Sequence, residues 1–341
     1  MFKKSKIKDK KFPSELRLDS VSEDWVVIAT GRAKRPETFK IKRKKGDGSK
    51  KTCSFCNIHT KTTPIIAFSN GKKTNNIKEW TTISISNKYP AFIPGSTLNK
   101  RKQGMYEVMN ALGFHEVIIT RNHKKSLGQL SVKEIKEVID VYQQRYLDLM
   151  NKKFINYISI FHNHGLEAGA TISHPHSQII AIPLIDIDLK RALLNSENYF
   201  KKYKKCIYCK MNEWERKNKE RVVFENKEFL STCPFASKSA FEVIISPKKH
   251  LSNFENITEK QKEQLAEVFK ASLGKLYKGL NDPSYNFYLH SAPCDGKSHN
   301  YYHWHWTIFP KTSTWAGFEL GTKIEISTIE PEKAAKFLRK Q

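Results

Sequence analysis

The chain contains no run of about 18 consecutive apolar residues, so a membrane-crossing helix is not expected. Its N-terminus, Met1-Phe2-Lys3-Lys4-Ser5-Lys6, is basic but has no apolar stretch behind it, so a secretory signal peptide is not expected either. The location these absences point to is the cytoplasm. Arginine is scarce: the net charge of +26 comes mostly from lysine. Lysine is the poorer reader of bases and phosphates, and here it is scattered along the chain rather than massed in one tract. A nucleic-acid partner is therefore not expected, and a lysine-rich solvated surface is the simpler account. Such a positive field still attracts sugar phosphates and nucleotides.

Cysteine is also sparse. Of six, four form two Cys-x-x-Cys pairs, Cys53/Cys56 and Cys206/Cys209. In an intracellular protein this spacing points to metal before disulfide. Cys233 and Cys294 have no partner at ligand spacing and are expected to be buried as small hydrophobes. With 39% apolar residues over 341 positions, the chain has material for one large globular domain or two ordinary ones.

The sequence repeats itself. Each half opens with Cys-x-x-Cys and then shows the strand phrase Glu-Val-Ile-Ile, at 116–119 and 242–245. A helix with a capping-box start follows, Ser131 with Glu134 in the first half and Thr258 with Gln261 in the second. Ile135, Val138, Ile139, Tyr142 and Tyr146 share one face of the first helix; Leu265, Val268, Phe269, Leu276 and Leu280 share one face of the second. A strand comes next, at 157–161 and 285–289, and then His-x-His: His174-Pro175-His176 and His303-Trp304-His305. The pattern predicts an α+β fold of two tandem units, 1–195 and 196–341, with antiparallel sheets and helices packed on them. Arg191 through Lys205 would form a polar helix or linker at the boundary. The Lys- and Gly-rich stretch 37–51 is expected to be a mobile loop, and 70–78 a similar one.

The chemistry concentrates in residues 163–178, Asn-His-Gly-Leu-Glu-Ala-Gly-Ala-Thr-Ile-Ser-His-Pro-His-Ser-Gln. Its Gly and Thr let backbone N–H groups approach a phosphate closely. One histidine can be held by a metal while the other acts as a nucleophile. The apolar run Ile179-Ile180-Ala181-Ile182 behind them predicts a buried strand.

This stretch resembles the active-site motif of the galactose-1-phosphate uridylyltransferase family, a branch of the histidine-triad superfamily that includes ADP-glucose phosphorylase-like members. The resemblance extends from about Ser14 to Phe337. It implies two histidine-triad-like units and a ping-pong nucleotidyl transfer in galactose metabolism, from UDP-glucose to a hexose 1-phosphate, through a uridylyl-histidine. The alternative it carries is an adenylyltransferase of the ADP-glucose phosphorylase kind. His176 would be the nucleophile, with its other ring nitrogen held by the carbonyl of His174. Gln178 and Thr171 would donate to phosphate oxygens, and Asn163 and Gly169 fall on nucleotide- and phosphate-contacting positions. Arg32 and Arg35, in Gly31-Arg32-Ala33-Lys34-Arg35-Pro36, would bind phosphate or sugar. Asn87, before Tyr89-Pro90, would contact uridine or ribose. Glu319, in Ala316-Gly317-Phe318-Glu319, would bind hexose hydroxyls across a homodimer. The family pattern implies zinc on Cys53, Cys56, His115 and His174. A second zinc would sit on Cys206, Cys209, His250 and His303, with His305 an alternative to His303 or a group behind it. His162, His164, Glu167, His59, His123, His290 and His299 carry no assigned role.

Overall fold

A computed structural model describes residues 14–29, 49–58 and 63–341. Its elements, in chain order, begin with β1 (Glu15–Leu18), β2 (Trp25–Ile28), β3 (Ile66–Ser69), β4 (Lys72–Lys73), β5 (Thr82–Ser86), β6 (Arg101–Gln103), β7 (Tyr106–Val108) and β8 (Phe114–Thr120). Then come α1 (Val132–Met150), β9 (Tyr157–His164), β10 (His176–Ile182), α2 (Ile187–Tyr203) and α3 (Ile207–Asn218). The second repeat supplies β11 (Val222–Glu225), β12 (Phe229–Thr232), β13 (Val243–Pro247), α4 (Glu259–Leu280), β14 (Tyr285–His290) and β15 (His305–Pro310). The chain closes with α5 (Gly317–Thr322), β16 (Ile326–Ser327) and α6 (Pro331–Arg339). Among the described residues no helix is long and apolar enough to cross a membrane.

The repeats do not form a sheet each. They share one antiparallel sheet of eleven strands, ordered β11-β12-β13-β15-β14-β9-β10-β8-β5-β3-β4. The order is symmetric about the β14–β9 seam: β9 answers to β14, β10 to β15, β8 to β13, β5 to β12 and β3 to β11. Both helix starts carry the expected capping box. Ser131 Oγ accepts from the Glu134 N–H while the Glu134 carboxylate accepts from the Ser131 N–H, and Thr258 and Gln261 do the same. α1 and α4 pack side by side on one face of the sheet, and their apolar stripes join one core that spans both repeats. The predicted stripe residues, from Ile135 to Tyr146 and from Leu265 to Leu280, are all buried there. The boundary segment is α2, whose Leu189 and Leu193 pack against Ala292 and Tyr302 of the second repeat.

The two Glu-Val-Ile-Ile phrases are one residue out of step. His176 stands opposite Ile119, whereas Ile245 stands opposite Trp306. Counting from the two His-x-His motifs therefore matches Glu116 with Val243 and His115 with Glu242. Because side chains alternate, the same letters point to opposite faces in the two halves. Glu116 lies on the helix face, where Arg145 of α1 grips both its carboxylate oxygens at 2.7 Å. Val243 sits at the matching place in the core. The same alternation puts Ser177 and Ile179 of β10 against the helices and leaves His176 and Gln178 on the opposite face.

Candidate active site and metal centres

His176 opens β10 directly after the loop that follows β9. Its Nδ1–H donates to the carbonyl of His174 at 2.9 Å, as expected, which leaves the lone pair on Nε2. Burial lowers the pKa of His176 below the ordinary imidazole value, and the bond to His174 offsets this only in part. The ring is therefore an unprotonated base near neutral pH, the state a nucleophile requires. Phe55 meets it edge-on with ring centroids 5.0 Å apart. Behind it lies a cavity of only about 10 Å³, lined in part by His162, Pro175 and Ser177. That is room for one water at most, so the imidazole is backed by a packed wall. On the helix side, Tyr142 Oη lies 2.6 Å from Ser177 Oγ, which lies 3.0 Å from His162 Nδ1, a buried chain supporting the start of the strand.

The loop before His176 is shaped by two glycines with φ near +85°, Gly165 and Gly169, a backbone conformation that suits residues without Cβ. Thr171 is exposed on this loop. Asn163 lies beside Gly169, and its carbonyl oxygen accepts from Asn286 Nδ2 at 2.8 Å. Asn286 also donates to the Ala168 carbonyl. It belongs to β14, so the second repeat reaches across the seam to fix the glycine-bearing loop of the first. The sequence reading missed Asn286. Its only trace was the strand-for-strand repeat, which places it next to β9 only once the two halves are known to share a sheet.

The first candidate metal cluster corrects the expected ligand set. Cys53, Cys56, His123 and His174 converge, with their ligand atoms within 4.8 Å of one another; His115 is not among them. Its ring nitrogens are occupied elsewhere, by Ala91 and Gln178. His123, to which the sequence assigned no role, takes the place. It lies three residues beyond the end of β8, as His250 lies three beyond the end of β13. Using His250 as the template within the repeat would have identified it. In each half the first histidine of His-x-His donates Nε2–H to the last carbonyl of that strand: His174 to Thr120 at 2.7 Å, His303 to Pro247 at 2.9 Å. This turns Nδ1 toward the thiols.

The second cluster is as expected: Cys206, Cys209, His250 and His303. His305 stands behind it, with its Nδ1 3.2 Å from the His303 carbonyl. Donor spacing tests the fit to zinc. Ligands about 2.0 Å (N) and 2.3 Å (S) from a tetrahedral ion lie about 3.5 Å apart for an S–N pair and about 3.3 Å for an N–N pair. Both cysteine sulfurs of the first cluster lie 3.5 Å from His174 Nδ1, which lies 3.2 Å from His123 Nδ1. Cys209 Sγ lies 3.5 Å from the Nδ1 of both His250 and His303. Both sets therefore suit a closed structural zinc, and a metal on the first would pin His174 and so aim His176.

The remaining expected contacts divide. Gln178 and His115 are hydrogen-bonded on the His176 face, and Asn87 lies beside them. Glu319 lies in α5, where its carboxylate accepts from the Ala316 N–H at 3.1 Å; no hydrogen bond among the described residues joins it to His176. Arg32, Arg35 and His59 lie outside the described residues, as does most of the expected loop at 37–51.

Comparison with known proteins agrees with this geometry. Residues 3–185 match the family model for the galactose-1-phosphate uridyl transferase N-terminal domain, and residues 96–340 match a domain of unknown function. ADP-glucose phosphorylase of Arabidopsis thaliana is 33% identical over 95% of this chain and 92% of its own length. Galactose-1-phosphate uridylyltransferase of Thermotoga maritima is 27% identical over 95% and 98%. The crystal structure of an Arabidopsis thaliana ADP-glucose phosphorylase with bound ADP-glucose superposes with a TM-score of 0.79 at 30% identity, covering 96% of this chain and 98% of that one. The chain belongs to the galactose-1-phosphate uridyl transferase family of nucleotidyltransferases.

Proposed function

We propose that this protein transfers a nucleotidyl group from a nucleotide sugar through a covalent intermediate on His176 Nε2, acting first of all as a UDP-glucose–hexose-1-phosphate uridylyltransferase. The observation that carries this is the fixed tautomer of His176: Nδ1–H is committed to the His174 carbonyl, which leaves the lone pair on Nε2, on the face of β10 opposite the helices. In-line attack of Nε2 on the α-phosphorus forms the N–P bond as the bond to the sugar 1-phosphate breaks and that phosphate leaves. A second sugar 1-phosphate then displaces the histidine and restores Nε2. Loop N–H groups, Thr171 and the Gln178 amide would donate to the non-bridging oxygens, where charge builds up. Splitting the reaction in two predicts ping-pong kinetics. A zinc on each Cys2His2 set would supply structure only. The exposed Trp315, Phe318 and Leu320 around Glu319 are a surface that a second copy would cover, which fits Glu319 serving the partner's hexose site in a homodimer.

One observation favours a second reading, adenylyl transfer between ADP-glucose and phosphate: the higher identity to the Arabidopsis ADP-glucose phosphorylase, 33% against 27% for the Thermotoga uridylyltransferase. Intact mass after incubation with UDP-glucose or ADP-glucose separates the two. A UMP adduct on wild type and none on His176→Gly supports the first. An AMP adduct, with no UMP adduct, transfers the assignment to the second. No adduct with either nucleotide sugar refutes both.

A further inference from the structure

His115 lies at the centre of the group formed by Gln178, Asn87 and Ala91. The Ala91 backbone N–H donates to His115 Nδ1 at 3.1 Å. A backbone donor cannot be reversed, so Nδ1 holds the lone pair and the ring hydrogen is on Nε2. That hydrogen faces Gln178 Oε1 at 2.8 Å. Asn87 Nδ2 lies 3.0 Å from the same ring nitrogen while its own carbonyl accepts from the Tyr89 N–H; a protonated Nε2 has no lone pair for that NH2, so this approach is a close contact and not a hydrogen bond. With its oxygen committed to His115, the Gln178 amide can present only its NH2 to the rest of the site. Gln178 and His176 are two residues apart on one face of β10, so that NH2 faces the side on which a phosphate attached to His176 would lie. Turned by half a circle, the same side chain would offer oxygen lone pairs to an anion.

We infer that His115 is a positioning residue for nucleotidyl transfer: it locks the Gln178 amide with its N–H groups toward the phosphate of the donor nucleotide. This rests on the nucleotidyl-transfer reading above. The second repeat supplies an internal contrast. Counting from the His-x-His motifs, Glu242 and Thr307 stand where the first repeat has His115 and Gln178. The Glu242 carboxylate is turned to the Lys238 backbone N–H, at 2.6 Å. The histidine–glutamine pair is thus confined to the repeat whose loop carries the glycines and Asn163.

The test is single-turnover nucleotidylation of His176, together with zinc content, for wild type, His115→Phe, His115→Gln, Gln178→Leu and the His115→Phe/Gln178→Leu double variant. His115→Phe should slow nucleotidylation by about 10- to 100-fold, the usual effect of losing an orienting partner, with zinc content equal to that of wild type. His115→Gln, whose amide nitrogen reaches about as far as Nε2, should recover most of the rate. The double variant should be no slower than Gln178→Leu alone, because His115 acts through Gln178. Should the Phe variant not fold, His115→Asn, too short to reach Gln178, carries the same expectation. A wild-type rate in His115→Phe, multiplicative losses in the double variant, or zinc loss on replacing His115 overturns the inference while the proposed function stands. If wild type itself forms no adduct with UDP-glucose or ADP-glucose, the function and the inference fall together.

Discussion

At the scale of single residues, two histidines eight positions apart in sequence, His115 and His123, take entirely different roles. His123 faces two thiols and His174; His115 faces two amides. His123→Ala should therefore release one equivalent of zinc per chain, measured by elemental analysis, and His115→Ala should release none. The loss at His123 should also slow nucleotidylation, since His174 both faces this metal site and accepts from His176 through its carbonyl. Much of the site was legible at this scale. The His-x-His motif and the two Cys pairs carry unusual residue types at short spacing, and short spacing constrains geometry, whereas Gln178 and Asn163 were singled out only by the family resemblance. The histidine that joins Cys53, Cys56 and His174 was not legible by that means. It lies 67 residues from Cys56 and 51 from His174, so spacing does not decide which histidine arrives, and the one sequence signal is its match to His250 in the repeat.

At the scale of elements, the helices were the easiest to read, because a capping box and a 3.6-residue apolar stripe are both local signals. The strands were less secure. Glu-Val-Ile-Ile recurs letter for letter, yet a one-residue offset sends its glutamate into the helix-side core in one half and to the opposite face in the other. Period-2 alternation makes such a slip total rather than partial. The buried Glu116–Arg145 pair is the result in the first half. Counted from the N-caps Ser131 and Thr258, Arg145 corresponds to Ser272, and Glu116 corresponds to Val243, so the second half has no such pair. Arg145→Met should cost about 3–5 kcal/mol, because it leaves a carboxylate buried without its partner. Adding Glu116→Val should recover most of that loss. Denaturant titration of the single and double variants checks both outcomes, and a double variant no more stable than the single one would contradict the argument.

At the scale of the whole molecule, burial sets the acid response. His162 and His290 are held well below the ordinary imidazole pKa by desolvation. Unfolded, each takes up a proton as the pH falls below about 6.5; folded, neither does. Their contribution to stability is therefore present above about pH 6.5 and lost as the pH falls below it. Glu242 works the other way. Burial raises it to about 7, so it keeps its proton when folded, and its contribution declines as the pH rises from 4.5 to 7. His305, lowered by burial to about 4, acts with the two histidines, and Glu215, Glu255 and Glu325, raised by burial, act with Glu242, so the two sets oppose each other on acidification. His162→Leu, matching Leu289 at the equivalent place in the second repeat, should reduce the slope of unfolding free energy between pH 5 and 6 by about 1.4 kcal/mol per pH unit, read from denaturant titrations at several pH values. An unchanged slope would mean that His162 is protonated in the folded chain.

The β9–β14 seam also bears on how such a chain can change over generations. A duplicated gene ordinarily leaves a spare copy, free to decay or be deleted. Here the spare copy lends Asn286 to the loop of the working one, and its strands close half of the sheet on which that loop stands. Once that loan is made, redundancy is gone. Deleting the second repeat would open a raw sheet edge beside the His176 strand, and deleting the first would remove His176 itself. The duplication has become a ratchet, and the chain can drift at its rims but not shed either half.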